Sequence, residues 1–392
     1  MFGLLSCTDA IPSVYLFEST PLGDDGLKGW GSEANVRYPE FIAQGETIGF
    51  PAPSFGANIE PYRTAFDHAL EVLSARGYEV KPGPNAYAGD GIGISSTPES
   101  CGREFTEMYC ADDTAVLIAC GGGELACETL ASVDLDAVRA AKPKWFEGYS
   151  DNTNLTFTLT TLCDVASVYG PCASTFGMEP WHTCVEDALG TLSGSSAFLD
   201  EGGVPHIVAN SYPRHEVEGL KDAEHPLAPY NCTALSLRRV LSNGEMRIGD
   251  GAAYMEGRLL GGCMDILAML VGTRFDQVKA FNERYADDGV IWFLESCDLN
   301  PMSIRRALWQ MENAGWFDRV RGFVLGRPLC GAEPFLGLDA YQAACGILEK
   351  HHAPIIMDAD IGHIPPSMPL ICGSFAKVSC MGNDISIEQI LR

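Results

Sequence analysis

From about residue 46 the hydrophobic positions alternate between short continuous runs and helix-spaced faces. "TIGFPA" is an apolar run closed by a Pro/Ser/Gly loop, the pattern of a buried strand. "EPYRTAFDHALEVLSARG" puts Tyr62, Phe66, Ala69, Leu70 and Leu73 at helical spacing and stops at Gly77. "YEVKPG" predicts a strand, "TPESCGREFTEMYCADD" a helix and "TAVLIAC" a buried strand. "GGGELACETLASVD" reads as a glycine loop opening a helix, "PKWFEG" as a strand and "DNTNLTFTLTTLCD" as the next helix. Strands alternating with helices at this interval imply βαβ units around a parallel sheet, an α/β fold. Ligands of such sheets sit beyond the carboxyl ends of the strands. "ACGGGE" and "GYSD" both fall there and can share one crevice.

The regularity breaks near residue 190. Residues 190–240 are rich in loop residues and charge and read as a linker or lid. Order resumes with "GRLLGGCMDILAMLVG", the strand "GVIWFLES", the helix "NPMSIRRALWQMENAGWF", the strands "VRGFVLGRP" and "APIIMDAD", and a closing hairpin "AKVSCMGNDISIE". A second domain is expected over 241–392, after a first over 37–189. Residues 1–36 show little periodicity and read as an N-terminal extension.

A chain of 392 residues fits two domains better than one core. The formal net charge of −26 argues against nucleic acid or an anionic membrane surface as partner. No apolar run reaches the roughly 18 residues of a membrane span, and the start lacks the basic n-region of a signal peptide. Fifteen cysteines without a C-x-x-C pair read as reduced, mostly buried thiols, so a cytoplasmic location is expected. His206, His215 and His225 share one polar stretch but at spacings that suit no regular metal site, and neither metal nor cofactor is expected.

Candidate chemistry centres on Ser150 in "KWFEGYSDNTNL". A serine between a strand and a helix is either an N-cap or a nucleophile on a strained elbow. A nucleophile needs a base, a group that orients the base, and N–H donors for an oxyanion. "GGGE" (Gly121 to Glu124) offers backbone donors at a helix start, and the N–H of Asp151 is a second source, although taken alone the glycines are better explained by a tight turn. His363 of "DIGHIPP" follows an apolar strand, in a Gly/Pro-framed loop. Glu295 closes "VIWFLE" and is either a solvated rim residue or an orienting carboxylate. Ser150, Glu295 and His363 each follow or end an apolar strand, in the chain order Ser, acid, His. That order also occurs in α/β-hydrolases, but Asn152 stands where their G-x-S-x-G elbow has its last glycine.

"TIGFPAPSFG", "ACGGGE", "PKWFEGYSDNTNL", "YGPCASTFGMEPWH", "EGRLLGG", "VIWFLES" and "DIGHIPPSMPL", in this order from about Arg37 onward, resemble the LD-carboxypeptidases. That serine-peptidase family also contains the microcin C immunity proteins. The resemblance implies a flavodoxin-like N-terminal domain, a smaller β-rich C-terminal α/β domain and a homodimer. It places the nucleophile at Ser150, its glutamate at Glu295 and its histidine at His363, with oxyanion donors at Gly122 and Asp151. Gly121 is expected beside the substrate, and Arg258 is a candidate cation for a free carboxylate. The substrate expected is a small peptide, a murein tetrapeptide losing its terminal D-alanine. The alternative is an aminoacyl- or peptidyl-nucleotide amide, as in the immunity branch. That branch can stack a loop tryptophan on the base, whereas the 190–240 insert has only Tyr212 and Tyr230, and Trp181 precedes it. A non-catalytic module binding cell-wall peptides or nucleotides, and an esterase or amidase of other specificity, are the remaining readings.

Overall fold

The computed structural model describes residues 35–392, Ala332 apart. The expected extension, residues 1–36, lies almost wholly outside them; its last residue, Val36, is buried in the core. The first four strands form as their pattern predicts, and a fifth, Ser167–Tyr169, joins them without having been expected. Strands Thr47–Phe50, Glu79–Pro82, Val116–Ile118, Trp145–Gly148 and Ser167–Tyr169 pair in parallel in the order second, first, third, fourth, fifth. This is the flavodoxin-like order, with its crevice where the direction of winding reverses. A sixth strand, Leu370–Cys372, comes from the far end of the chain and pairs antiparallel with Ser167–Tyr169.

Among the described residues the second sheet has ten strands. Ala252–Cys263, Val290–Glu295, Val320–Gly326 and Ile355–Ala359 form its parallel centre. The terminal hairpin Phe375–Met381 and Asp384–Ile390 flanks one side, and Arg239–Ser242 with Glu245–Ile248 the other. The β-rich character expected of the C-terminal half is present, but part of the sheet comes from the segment expected to be linker or lid. Ala197–Leu199 and Pro205–Asn210 extend the sheet beyond Asp384–Ile390. Ile207 and Ala209 alternate inward from exposed Val208 and Asn210, a period-2 signal too short to stand out among loop residues. Residues 211–238 alone make an arm, clipped at its base by a two-stranded ribbon, Arg214–His215 with Ala234–Leu235.

The helix Thr153–Cys163 joins the two sheets. All of its residues except Leu162 are buried. Phe157 stacks on Trp316 at 5.3 Å, and Trp316 on Trp292 of the second sheet at 5.5 Å. Gly262 lets the second sheet approach this helix, and Gly261 lets its strand lie against the neighbouring strand of the same sheet. A Cβ on Gly261 would lie 1.7 Å from the Phe293 carbonyl oxygen. One on Gly262, at φ 144°, would lie 2.6 Å from Thr153 Cγ2. In their absence the Cys263 N–H reaches Thr153 Oγ1 at 3.1 Å. The strand that ends in Glu295 is therefore held beside the helix that begins at the Ser150 elbow.

Trp292 is fully buried, whereas Trp309 is 58% exposed. Trp292→Ala is expected to lower unfolding free energy by about 3–5 kcal/mol, and Trp309→Ala by no more than about 0.5 kcal/mol. Urea unfolding of the two variants tests this; equal losses would show that the aromatic stack does not join the sheets.

Candidate active site

The strand Trp145–Gly148 delivers the chain to an abrupt corner. Tyr149 is extended, Ser150 takes φ 62°, and Ser150–Asn152 form one 3-10 turn before the helix starts at Thr153. A serine held in the left-handed region costs on the order of 1–3 kcal/mol. Gly148 makes the corner possible, because a Cβ there would meet Asn152 Cβ at 2.9 Å. Asn152 occupies the place of the missing glycine, and its Nδ2 donates to the carbonyls of Gly121 (2.8 Å) and Tyr149 (3.2 Å). Neither Ser150 nor Asp151 caps the following helix through its side chain. Ser150 Oγ lies instead 2.8 Å from His363 Nε2, and His363 Nδ1 lies 2.8 Å from Glu295 Oε2.

Glu295 is wholly buried. Burial works against its charge, but His363 and hydrogen bonds from His363, Tyr169 and Cys263 outweigh it and hold the carboxyl below its ordinary value. For His363, burial disfavours the imidazolium, yet the Glu295 charge and contact with the Cys297 thiol raise its pKa well above the usual value. Tyr169 was not foreseen. Its hydroxyl, kept protonated by burial and by Glu295, donates to Glu295 Oε1 at 2.5 Å and accepts the Ser150 N–H at 3.3 Å. Its sequence signal is the one used for Glu295, a polar tip at the end of an apolar strand.

The His363 loop is anchored from behind. The Asp360 carboxylate accepts from Arg238 (2.5 Å), Arg327 (2.6 Å) and the Tyr212 N–H (2.7 Å). The arm joins this loop again where the Glu216 N–H donates to the Pro365 carbonyl at 2.8 Å.

The glycine loop lies against Ser150. A Cβ on Gly122 would stand 3.4 Å from Ser150 Cβ, and the Gly122 carbonyl is occupied by the Phe55 N–H at 2.7 Å. On Gly123 a Cβ would collide with Ser54 Oγ at 2.1 Å. Asp151 fastens this loop to the elbow, its Oδ2 accepting from Ser54 Oγ (2.6 Å) and the Ala126 N–H (2.9 Å). Burial lifts the Asp151 carboxyl to about 6 despite these bonds. The helix expected directly after "GGGE" begins at Ala126.

Gly121, Gly122, Ser150 and His363 line one cleft of about 610 Å³, with Cys297 beside the imidazole. Arg258 does not reach it. Its guanidinium is buried against Asp288 (2.9 Å), the Gly373 carbonyl (2.9 Å) and the Tyr285 ring, and the expected carboxylate cation is a structural residue. The reason is its place in the middle of a central strand, well before the carboxyl end. Tyr230 lines the cleft, but Tyr212 is buried with its hydroxyl on Asp187, and the Trp181 indole N–H binds the Phe176 carbonyl. Cys263, Glu295 and His363 bring three possible metal ligands within 4.8 Å, but both Glu295 oxygens are already engaged by Tyr169 and His363. Among the described residues every cysteine is free, and no helix is long and apolar enough to cross a membrane.

Comparison with known proteins bears on the family and the fold. Residues 48–170 match the LD-carboxypeptidase N-terminal domain, and residues 256–378 the LD-carboxypeptidase C-terminal domain. The chain is 25% identical over 357 residues to the "Probable murein peptide carboxypeptidase" of Bacillus subtilis, covering 89% of this chain and 94% of that one. Its fold is similar to the MccF-like protein of Bacillus anthracis strain Ames, with a TM-score of 0.70, 23% identity, and coverage of 90% and 99%. It is also similar to the microcin C7 self-immunity protein MccF in complex with aspartyl sulfamoyl adenosine, with a TM-score of 0.69, 21% identity, and coverage of 90% and 98%. With both domains matched in order on one chain, this protein belongs to the LD-carboxypeptidase family of peptidases.

Proposed function

We propose that this peptidase hydrolyses an amide through a Ser150–His363–Glu295 triad and removes the terminal D-alanine of a murein tetrapeptide. The observation that carries the reading is the unbroken hydrogen-bonded line from Ser150 Oγ through His363 to buried Glu295, both links 2.8 Å. His363 takes the hydroxyl proton as Ser150 attacks the scissile carbonyl, and Glu295 fixes the imidazole tautomer and stabilises the imidazolium. The N–H groups of Gly122 and Asp151 receive the oxyanion, and the collapse of the tetrahedral intermediate expels the amine with the proton from His363. Water, deprotonated by the same histidine, then releases the acyl group from Ser150. Nucleophile, base and oxyanion donors all come from the protein, so the route runs without metal or cofactor. A cytoplasmic homodimer acting on a small peptide belongs to the same proposal.

A second reading rests on the cleft mouth, where Phe55, Ile59 and Tyr62 are exposed at 41%, 60% and 51%. Such a surface suits the face of a nucleobase, so an aminoacyl-nucleotide amide is the second substrate to try.

Mass spectrometry of murein tetrapeptide incubated with the wild type and Ser150→Ala tests the first reading. The wild type is expected to release D-alanine, and Ser150→Ala to lose about 10⁴-fold or more in kcat/KM. An intact tetrapeptide beside a cleaved aminoacyl-nucleotide would shift the assignment to the second, and binding without turnover of either would leave a non-catalytic module.

The pH profile provides a separate check. The base must be neutral to accept a proton, and Glu295 raises the pKa of His363. The neutral fraction therefore grows with pH, and kcat/KM is expected to climb with a midpoint above the ordinary imidazole value of about 6.5. In Glu295→Gln the residual activity should titrate at lower pH. A wild-type midpoint at or below the ordinary value would count against the coupling.

A further inference from the structure

The arm places one cation in the cleft that the triad does not use. Lys221 lies between the two halves of the clipping ribbon and lines the same cleft as Ser150, Gly122 and His363. Among the described residues it is the one lysine or arginine that does so. Its Nζ donates to the Ser174 carbonyl at 3.2 Å and sits 5.8 Å from the centroid of the Tyr62 ring. An ammonium has three N–H donors. Among the described residues no carboxylate lies within ion-pair distance of this one, although Glu124 and Glu216 line the same cleft.

A partly buried cation without an anionic partner is costly, and an arriving anion relieves that cost. Burial alone lowers the Lys221 ammonium to about 8, with no acid offsetting it. A chain of net charge −26 otherwise repels a carboxylate ligand, so a single desolvated cation in the cleft has a large effect on which ligands enter. Arg258, the cation expected for this task, is held by Asp288 outside the cleft.

We propose that Lys221 is the specificity-determining cation of the cleft and holds a carboxylate of the peptide substrate. This rests on the peptidase reading of Ser150. Two sources share the chemistry: the free C-terminal carboxylate, and a side-chain carboxylate further along the peptide. The arm is thus a wall of the site that selects acidic peptides, not a passive cover.

Steady-state kinetics of wild type, Lys221→Met and Lys221→Arg test it on three substrates: murein tetrapeptide, its C-terminal amide, and the tetrapeptide with its side-chain carboxylates amidated. Lys221→Met should raise KM for the tetrapeptide about 10- to 100-fold, with kcat within a few-fold. Lys221→Arg should recover most of that loss. The penalty should vanish on whichever amidated peptide lacks the held carboxylate, and this identifies the source. Equal penalties on all three peptides, or an unchanged KM, would overturn the proposal. Titration calorimetry of tetrapeptide with Ser150→Ala and with Ser150→Ala/Lys221→Met separates this idea from its premise. If the wild type cleaves nothing but binding still depends on Lys221, the peptidase reading fails and the carboxylate contact stands. If the two variants bind alike, or neither binds, the contact is refuted.

Discussion

The Glu295 carboxylate has no access to water, and the site is organised around satisfying it. Removing a carboxylate from water costs several kcal/mol unless its partners restore what hydration supplied. One oxygen is satisfied by Tyr169, at the end of a strand in the first sheet, and the other by His363, in a loop of the second half. Separating the two halves would leave one carboxylate oxygen without its partner. Because Tyr169 also accepts the Ser150 N–H, Glu295, the Ser150 backbone and His363 form one bonded unit.

That unit needs a rigid frame, because the left-handed Ser150 would relax if the chain around it could give. The helix Thr153–Cys163 supplies the frame. Buried on nearly every side and stacked through Phe157 and Trp316 onto Trp292, it fixes the far side of the elbow, and Asn152 fixes the near side to the glycine loop. Gly262 lets the second sheet approach this helix, and Gly261 lets its strand lie close against the one that ends in Glu295. The distances in the triad therefore follow from packing well behind it.

Around this frame the cleft wall is built from less constrained chain. The arm is tied down at separate points, among them its ribbon, the buried Asp360 cluster, the Glu216–Pro365 bond and the Glu179 N–H on the Leu227 carbonyl. A protein of similar sequence is named for murein peptides, and one of similar fold for microcin C7 immunity. A shared catalytic frame with a replaceable arm is a physical route to such divergence, since a loop can change its side chains without disturbing the buried pairs.

The sequence by itself determined the parallel-sheet half, the elbow at Ser150, and the positions of Glu295 and His363. Strand ends are marked by apolar runs stopping at polar or glycine residues, and in a parallel sheet those ends face one crevice. Its periodicity also carried the closing hairpin and the helix that bears Phe157. The tertiary structure alone decided the rest. Tyr169 acquired its role only when two strands distant in sequence met, and Arg258 lost its expected role because register placed it in mid-strand beside Asp288. Residues 197–210 became sheet because an edge was available to them, although their composition reads as loop. Lys221 sits in a charged loop stretch with no periodic signal, and its importance comes from what surrounds it. Local pattern records which side chains prefer burial, but which group meets which is settled by the packing of elements far apart in the chain.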